Sequence, residues 1–437
     1  MMDAGPARSS EKTVAFYTLG CKVNQYDTEA MKEAFTSSGY SLVDFDDTAG
    51  VYVINTCTVT ARGDAKSRQA IRRARRRNPS AVVAVTGCYP QVDPGATAAM
   101  PEVDVVAGVN QGALIVSLVE QARAGRLLST DRATGWPKIA QFEGRTRAVL
   151  KIQEGCRQFC SYCIVPFARG PLRSRPPQEV LEQVRQLVTS GFKEIVLTGV
   201  HLGAYGVESG GPALSELLHA MGQGPMPPRL RLSSIEPMDL SPDLFHVLEE
   251  LPAFCEHLHV PVQSGSADVL KSMNRPYDPG EFASIVKTAR SLFPDIGITT
   301  DVIAGYPGET DKQFQESLDF VKAMAFSRLH VFRFSPRPGT RAMSLGGRVS
   351  ATESARRSDE MIRLGKTLSL DFHRAFLGRT LEVLVEECPA GEELEGFTRN
   401  YIRTRLPGDL AMSNQIVGVR LNEASPSGAR GCVVPVT

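Results

Sequence analysis

Short apolar runs alternate with longer polar, helix-friendly stretches from residue 13 to about 120. The runs read TVAFYTL, GVYVINT, AVVAVTG and VDVVAG. Val/Ile-rich runs without polar alternation, separated by helices, predict a parallel sheet covered on both faces. Each of the first three stops at a cysteine: Cys21, Cys57 and Cys88. Sheets of this kind collect ligands beyond the carboxyl ends of their strands. Three thiols remote in sequence are therefore expected along one edge.

The pattern restarts near Arg147, after the Gly- and Pro-containing stretch RATGWPKIAQFEG. Six strand candidates follow: RAVLKIQEG, KEIVLTGV, RLRLSSIEP, EHLHVPVQSG, IGITTDVIAGYPG and RLHVFRFSPRPG. Helical stretches such as PPQEVLEQVRQLVTSG lie between several of them. Six repeats are too few for a closed eight-fold barrel, so an open, partial barrel is expected, with its working face at the C-terminal strand ends. From about 377 the character changes to short antiparallel strands with Gly, Pro and Asn turns, read as GRTLEVLVEE, LEGFTRNYIRTRLP, NQIVGVRLNEAS and GARGCVVPV; these predict a small β-barrel. The reading is α/β with three domains: 12–125, 146–374 and 377–437.

Composition adds only bounds. The 437 residues are 42% hydrophobic and 22% charged, with a formal net charge of +1, which excludes neither a nucleic-acid nor a small-molecule partner. No apolar stretch has membrane-spanning length, and MMDAGPARSSEK lacks the apolar core of a secretory signal. A soluble, cytoplasmic enzyme without a membrane partner is expected. Nine cysteines, an odd number, do not suggest a disulfide framework; in a reducing compartment clustered cysteines bind metal or do chemistry. Cys255, Cys388 and Cys432 stand apart and read as small packed hydrophobes.

Three cysteines cluster in EGCRQFCSYCIVPF as Cys156-x3-Cys160-x2-Cys163, directly after the first strand of the second block. Three thiolates this close can hold three irons of a 4Fe–4S cluster and leave the fourth open. A structural zinc site would want a fourth ligand, and none follows locally. The spacing, with Tyr162 before the last cysteine, resembles the radical S-adenosylmethionine (radical SAM) motif. That resemblance implies SAM chelated at the open iron, with contacts from Tyr162, from Thr198 and Gly199 in LTGVHLGAYG, from Ser234 and Glu236 in RLSSIEP, from Gln263 in HVPVQSGS, and from Ile303 in DVIAGYPGET. Glu309 precedes a helix and reads as structural, and Arg275 in LKSMNRPY is placed near the site.

TLGCKVNQ, INTCTVT, the GC at 87–88, the radical SAM motif, VPVQSGS, IAGYPGET and a barrel like the TRAM domain occur together in radical SAM methylthiotransferases, and the resemblance spans about residues 12–437. It implies two 4Fe–4S clusters, an auxiliary one on Cys21, Cys57 and Cys88 with Asn24 shaping its loop, and replacement of a C–H bond by C–SCH3. Within the family, CKVNQ resembles the branch that acts on N(6)-threonylcarbamoyladenosine at position 37 of tRNA. The implied partners are a tRNA anticodon stem-loop and an electron donor such as flavodoxin or ferredoxin; the sequence does not point to a sulfur donor. The alternatives are the same chemistry on isopentenyladenosine or on an aspartate of a small-subunit ribosomal protein, or a non-catalytic iron–sulfur RNA-binding protein.

Two segments are candidates for RNA. TARGDAKSRQAIRRARRRNP begins three residues after Cys57, and as a helix would offer Arg68, Arg72, Arg73 and Arg76 to phosphates. In FTRNYIRTR, Phe397 and Tyr401 alternate with Arg399 and Arg403, which suits base stacking with cation contacts. Residues 377–437 nevertheless carry eight acidic against six basic side chains, an unusual balance for an RNA module. His257 and His259, two apart on one strand, read as packing residues because no third ligand sits at metal spacing.

Overall fold

The computed structural model describes residues 12–112, 114–122, 125, 127–129, 135–139, 146–386 and 393–434. The chain divides into two compact units. The first comprises residues 1–141 together with 164–170, and the second comprises 142–163 with 171–437. The expected boundaries did not anticipate the short excursion at 164–170, nor that the small barrel and the β/α sheets share one unit.

The first unit is a six-stranded parallel sheet built from β1 (Thr13–Thr18), β2 (Ser41–Val43), β3 (Val51–Thr56), β4 (Val82–Gly87), β5 (Val105–Ala107) and β6 (Leu127–Ser129), in the order β2-β1-β3-β4-β5-β6. The two edge strands β2 and β6 were not expected; they are three residues long and only partly buried, so they lack the apolar runs that reveal the others. Every residue of β3 is buried. Its two faces carry separate cores, one around Tyr52, Ile54 and Ile71 and the other around Val51, Val53 and Phe35. Five helices connect the strands: α1 (Lys22–Ser37), α2 (Ala61–Arg77), α3 (Cys88–Val92), α4 (Pro94–Ala98) and α5 (Ile115–Ala122). The excursion adds α6 (Val165–Arg169).

In the second unit, β7 (Arg147–Lys151) is followed by the short antiparallel pair β8 (Gln153–Glu154) and β9 (Arg173–Ser174), and then by α7 (Pro177–Thr189). The remaining repeats are β10 (Glu194–Thr198), α8 (Leu214–Gly222), β11 (Arg229–Leu232), α9 (Pro242–Glu250), β12 (His257–His259), α10 (Ala267–Ser272), α11 (Pro279–Leu292), β13 (Gly297–Ala304), α12 (Asp311–Met324) and β14 (Arg328–Arg333). The parallel sheets β11-β10-β7 and β12-β13-β14 are joined by bridges Leu230↔Phe254 and Ser234↔His259, giving the expected open six-stranded array. The long α13 (Ala351–Arg374) then leads to a closed barrel of β15 (Thr380–Glu386), β16 (Glu393–Thr398), β17 (Arg403–Pro407), β18 (Ile416–Ser425) and β19 (Gly428–Val434). LEGFTRNYIRTRLP is thus two strands with a turn, and Tyr401 at the turn has φ of 71°.

The small barrel docks on the N-terminal ends of the β/α strands. Arg147, Glu194 and Arg229, the first residues of β7, β10 and β11, lie in register. Glu194 is fully buried, accepts from Arg231 Nε at 2.8 Å, and has Arg147 and Arg229 at 3.9 and 4.0 Å. Burial opposes its charge, yet these arginines hold its carboxyl below the usual range. Arg229 and Arg231 in turn donate to the carbonyls of Phe397 and Arg399 in the barrel. Removing one partner of such a set leaves a buried charge uncompensated. Glu194→Gln is therefore expected to lower stability by about 3 kcal/mol, measured as an earlier denaturant midpoint; a shift under about 0.5 kcal/mol would show that the cluster is not what fastens the barrel.

Candidate functional site

In the first unit, β1, β3 and β4 are adjacent and parallel, and their carboxyl ends lead into Cys21, Cys57 and Cys88. The approach to each cysteine is tightly built. Gly20 has φ of 104°, and a Cβ there would come within 3.0 Å of Cys57 Cβ. Gly87 has φ of 95°, and a Cβ would fall 2.5 Å from Thr56 O. Asn24 Nδ2 donates to the carbonyls of Leu19 at 2.6 Å and Thr56 at 2.9 Å, which ties the end of β3 to the β1 loop. Burial pushes the Cys57 thiol up to about 12, and the neighbouring Cys88 and Cys21 thiols add to the rise. Three thiols gathered at one sheet edge suit a shared cation core, which would replace their protons.

Arg169 was missed by sequence reasoning. Its buried guanidinium sits beside this trio, with Nε donating to Cys88 Sγ at 3.3 Å, Nη1 to Asp27 Oδ2 at 2.9 Å, and Nη2 to Asn24 Oδ1. It is the first unit's α6 that carries it. No local pattern marks this arginine; its partners are remote in sequence.

In the second unit, Cys156, Cys160 and Cys163 lie in the loop after β8, beyond the C-terminal end of β7. Here too basic groups face sulfur. Arg275 Nη1 donates to Cys160 Sγ at 3.2 Å while its other terminal nitrogen pairs with Glu236. His201 Nδ1 lies 3.6 Å from Cys156 Sγ, and its Nε2 meets Asp239 Oδ2 at 2.8 Å. Burial pulls His201 down, but Asp239 and Cys156 outweigh it and push the imidazole up to about 10. Burial raises the Cys160 thiol, opposed by Arg275. A trio of thiols backed by cations at strand ends can hold a metal cluster and stabilise its negative charge.

The other expected cofactor residues distribute as follows. Tyr162 packs with Ile303, Val269, Met273 and Tyr306, and burial keeps its phenol protonated. Thr198 ends β10 and accepts from the Ile152 amide at 2.9 Å. Gly199 lies against Gln153, where a Cβ would come within 2.8 Å; Gln153 Oε1 accepts from the His201 amide at 2.7 Å. Glu236 is committed to Arg275, and Ser234 is exposed beside the start of that loop. Gln263 adopts φ of 64° and bridges to β13 through its backbone. Glu309 is buried, accepts from the Gly305 amide, and pairs with Arg357 of α13 at 2.9 Å, so it is structural. Cys255 is buried, Cys432 is exposed rather than packed, and Cys388 lies outside the described residues.

The two RNA candidates fare differently. On α2, Ser67, Ala70, Ile71 and Ala74 face inward, which leaves Arg72 and Arg76 exposed on the outer face and Arg68 half-buried at its flank; Arg72 also approaches Glu102 at 3.7 Å. Arg73 instead pairs with Asp46 and lies 5.4 Å from the Phe45 ring centre, so it belongs to the structure of this unit. The rings of the barrel are engaged within the protein itself. Phe397 and Tyr401 stack on each other, Arg147 and Arg231 cover them at 4.7 Å, and Tyr401 also stacks on His257. Arg399 donates to the carbonyls of Pro252 and Phe254. These three groups fasten the barrel to the N-terminal strand ends, away from the cysteine loop. Arg403 is exposed and pairs with Glu395.

One test follows from Arg275. In the iron-free protein, Arg275→Met removes the cation while keeping bulk, so the Cys160 thiol should rise further. Its alkylation at pH 8 should slow by about tenfold per unit of pKa, read by peptide mass spectrometry; an unchanged rate would detach Arg275 from Cys160.

Comparison with known proteins agrees with this geometry. Residues 13–108 match the uncharacterized protein family UPF0004, and residues 150–321 match the radical SAM superfamily. The chain is 42% identical to a threonylcarbamoyladenosine tRNA methylthiotransferase of Bacillus subtilis, covering 94% of each chain. It is 37% identical to the enzyme of the same name from Thermotoga maritima, over 96% of this chain and 97% of that one. A tRNA-2-methylthio-N(6)-dimethylallyladenosine synthase of Moorella thermoacetica is 32% identical, over 95% and 97%. Among solved structures, the radical SAM methyltransferase TsrM of Kitasatospora setae shares the fold at 15% identity, with a TM-score of 0.55 over 76% of this chain and 74% of that one. With both family models in order and such identity along nearly the whole length, the chain belongs to the radical SAM tRNA methylthiotransferases.

Proposed function

We propose that the protein converts N(6)-threonylcarbamoyladenosine at position 37 of tRNA to its 2-methylthio derivative. The observation that carries this is the pairing of a Cys156/Cys160/Cys163 loop with a second trio, Cys21, Cys57 and Cys88, at the end of a parallel sheet. The relatives with the highest identities shown above, named for this substrate, support the choice of base. In this reading each trio holds a 4Fe–4S cluster, the first the SAM-binding one and the second auxiliary. When bound, these groups and SAM supply electrons, a hydrogen-abstracting radical and the methylthio group, so that C2–H of the adenine becomes C2–SCH3.

The protein's own share is placement and charge. Arg275 and His201 donate toward Cys160 and Cys156, and Arg169 toward Cys88, so thiolates that are buried or half-buried would be met by fixed cations. Tyr162 and Ile303 form one apolar wall, against which an adenine ring would lie. Thr198, Gly199, Ser234, Glu236 and Gln263 complete the proposed SAM neighbourhood, Glu236 through Arg275. Arg68, Arg72 and Arg76 would contact phosphates of the anticodon stem, with a flavodoxin or ferredoxin as reductant. The five-stranded barrel is TRAM-like in this reading. No helix among the described residues is long and apolar enough to cross a membrane.

Mass spectrometry of tRNA nucleosides from a host without its own methylthiotransferases tests substrate and reaction together. Expression of this chain should yield methylthio-threonylcarbamoyladenosine. The isopentenyl derivative instead would overturn the branch, and neither product from cluster-loaded protein would remove tRNA as substrate. Cys160→Ala should abolish SAM cleavage, whereas Cys57→Ala should retain some cleavage and lose methylthiolation. Normal methylthiolation by Cys57→Ala would sink the two-trio assignment. Replacing Arg68, Arg72 and Arg76 with alanine should raise KM for tRNA by about tenfold and flatten its salt dependence, with kcat little changed; an unaltered salt slope would place RNA elsewhere.

A further inference from the structure

Three adjacent strands of the second unit bring together His259 of β12, Asp301 of β13 and His330 of β14, side chains that belong to neither cysteine trio. The register puts Asp301 opposite His330, and His259 opposite Thr299, two residues before Asp301 on the same face. Leu329, which alternates with His330, packs beneath Gly365 of α13, so the three side chains lie on the sheet face turned away from that helix. Singly, each residue is unremarkable. Together their ligand atoms all lie within 4.8 Å of one another.

The distances do not describe ordinary ion pairs. A hydrogen-bonded imidazolium–carboxylate pair closes to about 2.7–2.9 Å. Here His259 Nε2 and His330 Nδ1 stand 3.3 and 3.5 Å from the same oxygen, Asp301 Oδ1. That oxygen is buried and accepts no hydrogen bond. A buried carboxylate oxygen left so would be costly, unless something else satisfies it. Around a tetrahedral cation with bonds of about 2.0–2.1 Å, neighbouring ligand atoms are about 3.3–3.4 Å apart. The two nitrogen–oxygen separations fall close to that value, and all three ligand atoms lie within 4.8 Å of one another.

The surroundings fit the same conclusion. His259 uses its other ring nitrogen, Nδ1, on Thr299 Oγ1 at 2.9 Å, the kind of contact that fixes the tautomer and orientation of a ligating histidine. Thr299 Oγ1 is also within 3.1 Å of His257 Nε2, so the hydroxyl is itself held in place. The two imidazole rings are 5.4 Å apart and tilted by 33°, which lets both present nitrogen toward one point. His330 is 43% exposed, so the site opens on its side and leaves a coordination position free.

We propose that His259, Asp301 and His330 form a binding site for a single divalent transition cation such as Zn2+, independent of the cysteine trios. Two imidazoles and one carboxylate are a donor set for Zn2+ or Fe2+ rather than for Ca2+ or Mg2+, which favour oxygen. The fourth position, on the exposed side, is available to water or an oxygen anion.

The test uses the cluster-loaded, full-length protein, stripped with a mild chelator and then exposed anaerobically to Zn2+ alone. Elemental analysis after gel filtration should show about one zinc per chain, and X-ray absorption at the zinc edge should show only nitrogen and oxygen neighbours. His330→Gln, at the most exposed of the three positions, and Asp301→Asn should each weaken zinc uptake by 100-fold or more, with iron content unchanged. Wild-type protein that retains no more zinc than His330→Gln overturns the proposal, and so do sulfur neighbours, which would locate the zinc on cysteines. Iron content, read in parallel, reports separately on the cysteine trios.

Discussion

Everything chemical in this protein depends on where parallel strands end. Adjacent strands lie about 4.8 Å apart, so residues that terminate neighbouring strands become neighbours however far apart they are in sequence. Cys21, Cys57 and Cys88 exploit this on β1, β3 and β4, whereas the Cys156–Cys163 loop is a local cluster that the end of β7 positions. The sheet alone is not sufficient. The chain must stop being a strand at once and bring its cysteine to the same edge, which explains the left-handed glycines at 20 and 87 and the paired carbonyl contacts of Asn24.

Collecting thiolates in partly buried places creates an electrostatic problem, and the same solution appears in both units. Each basic group aimed at sulfur is itself backed by a carboxylate: Arg169 by Asp27, Arg275 by Glu236, His201 by Asp239. A lone buried guanidinium would be costly, and a lone thiolate equally so. A chain of alternating charge lets each group stay ionised. The carboxylate also fixes the direction of the donor, which a flexible cation on a surface would not achieve. Hydrogen bonds onto cluster sulfurs are among the means by which a protein sets a cluster's potential, so in the proposed reading these pairs would connect packing to redox chemistry.

Much of this was legible in the sequence, for identifiable reasons. Buried parallel strands write continuous Val/Ile runs, so β1, β3, β4 and the β/α repeats stood out, as did the cysteines that end them. The edge strands β2 and β6 escaped notice because a short, half-exposed strand carries no run. In LEGFTRNYIRTRLP the turn falls at Arg399–Asn400, and it is Tyr401, not the asparagine, that supplies the positive φ. Arg169 and the His259–Asp301–His330 set were illegible for a different reason. Their meaning lies in which strands and helices become neighbours: the residues that face His259 arrive from other strands, at no local spacing.

The acidic excess of the C-terminal barrel shows how a composition argument is resolved by topology. Counted alone, eight acids against six bases are an unusual balance for an RNA module. In the fold, Glu386 pairs with Arg147 at 2.8 Å and Glu382 approaches Arg229 at 3.8 Å, both arginines belonging to the first residues of β/α strands. Part of the excess is thus the complement of a positive ring at the strands' N-terminal ends. Phe397 and Tyr401 belong to the same arrangement, stacked under arginines that a search for RNA contacts would assign to phosphate. The end of the array opposite the cysteine loop is therefore where stability is concentrated, with charges matched, rings stacked and a second fold clamped on. The cysteine end is left with glycine turns, strained loops and cations waiting on sulfur. That division, stability at one end of the strands and chemistry at the other, allows the reactive end to be built from residues that contribute little to holding the molecule together.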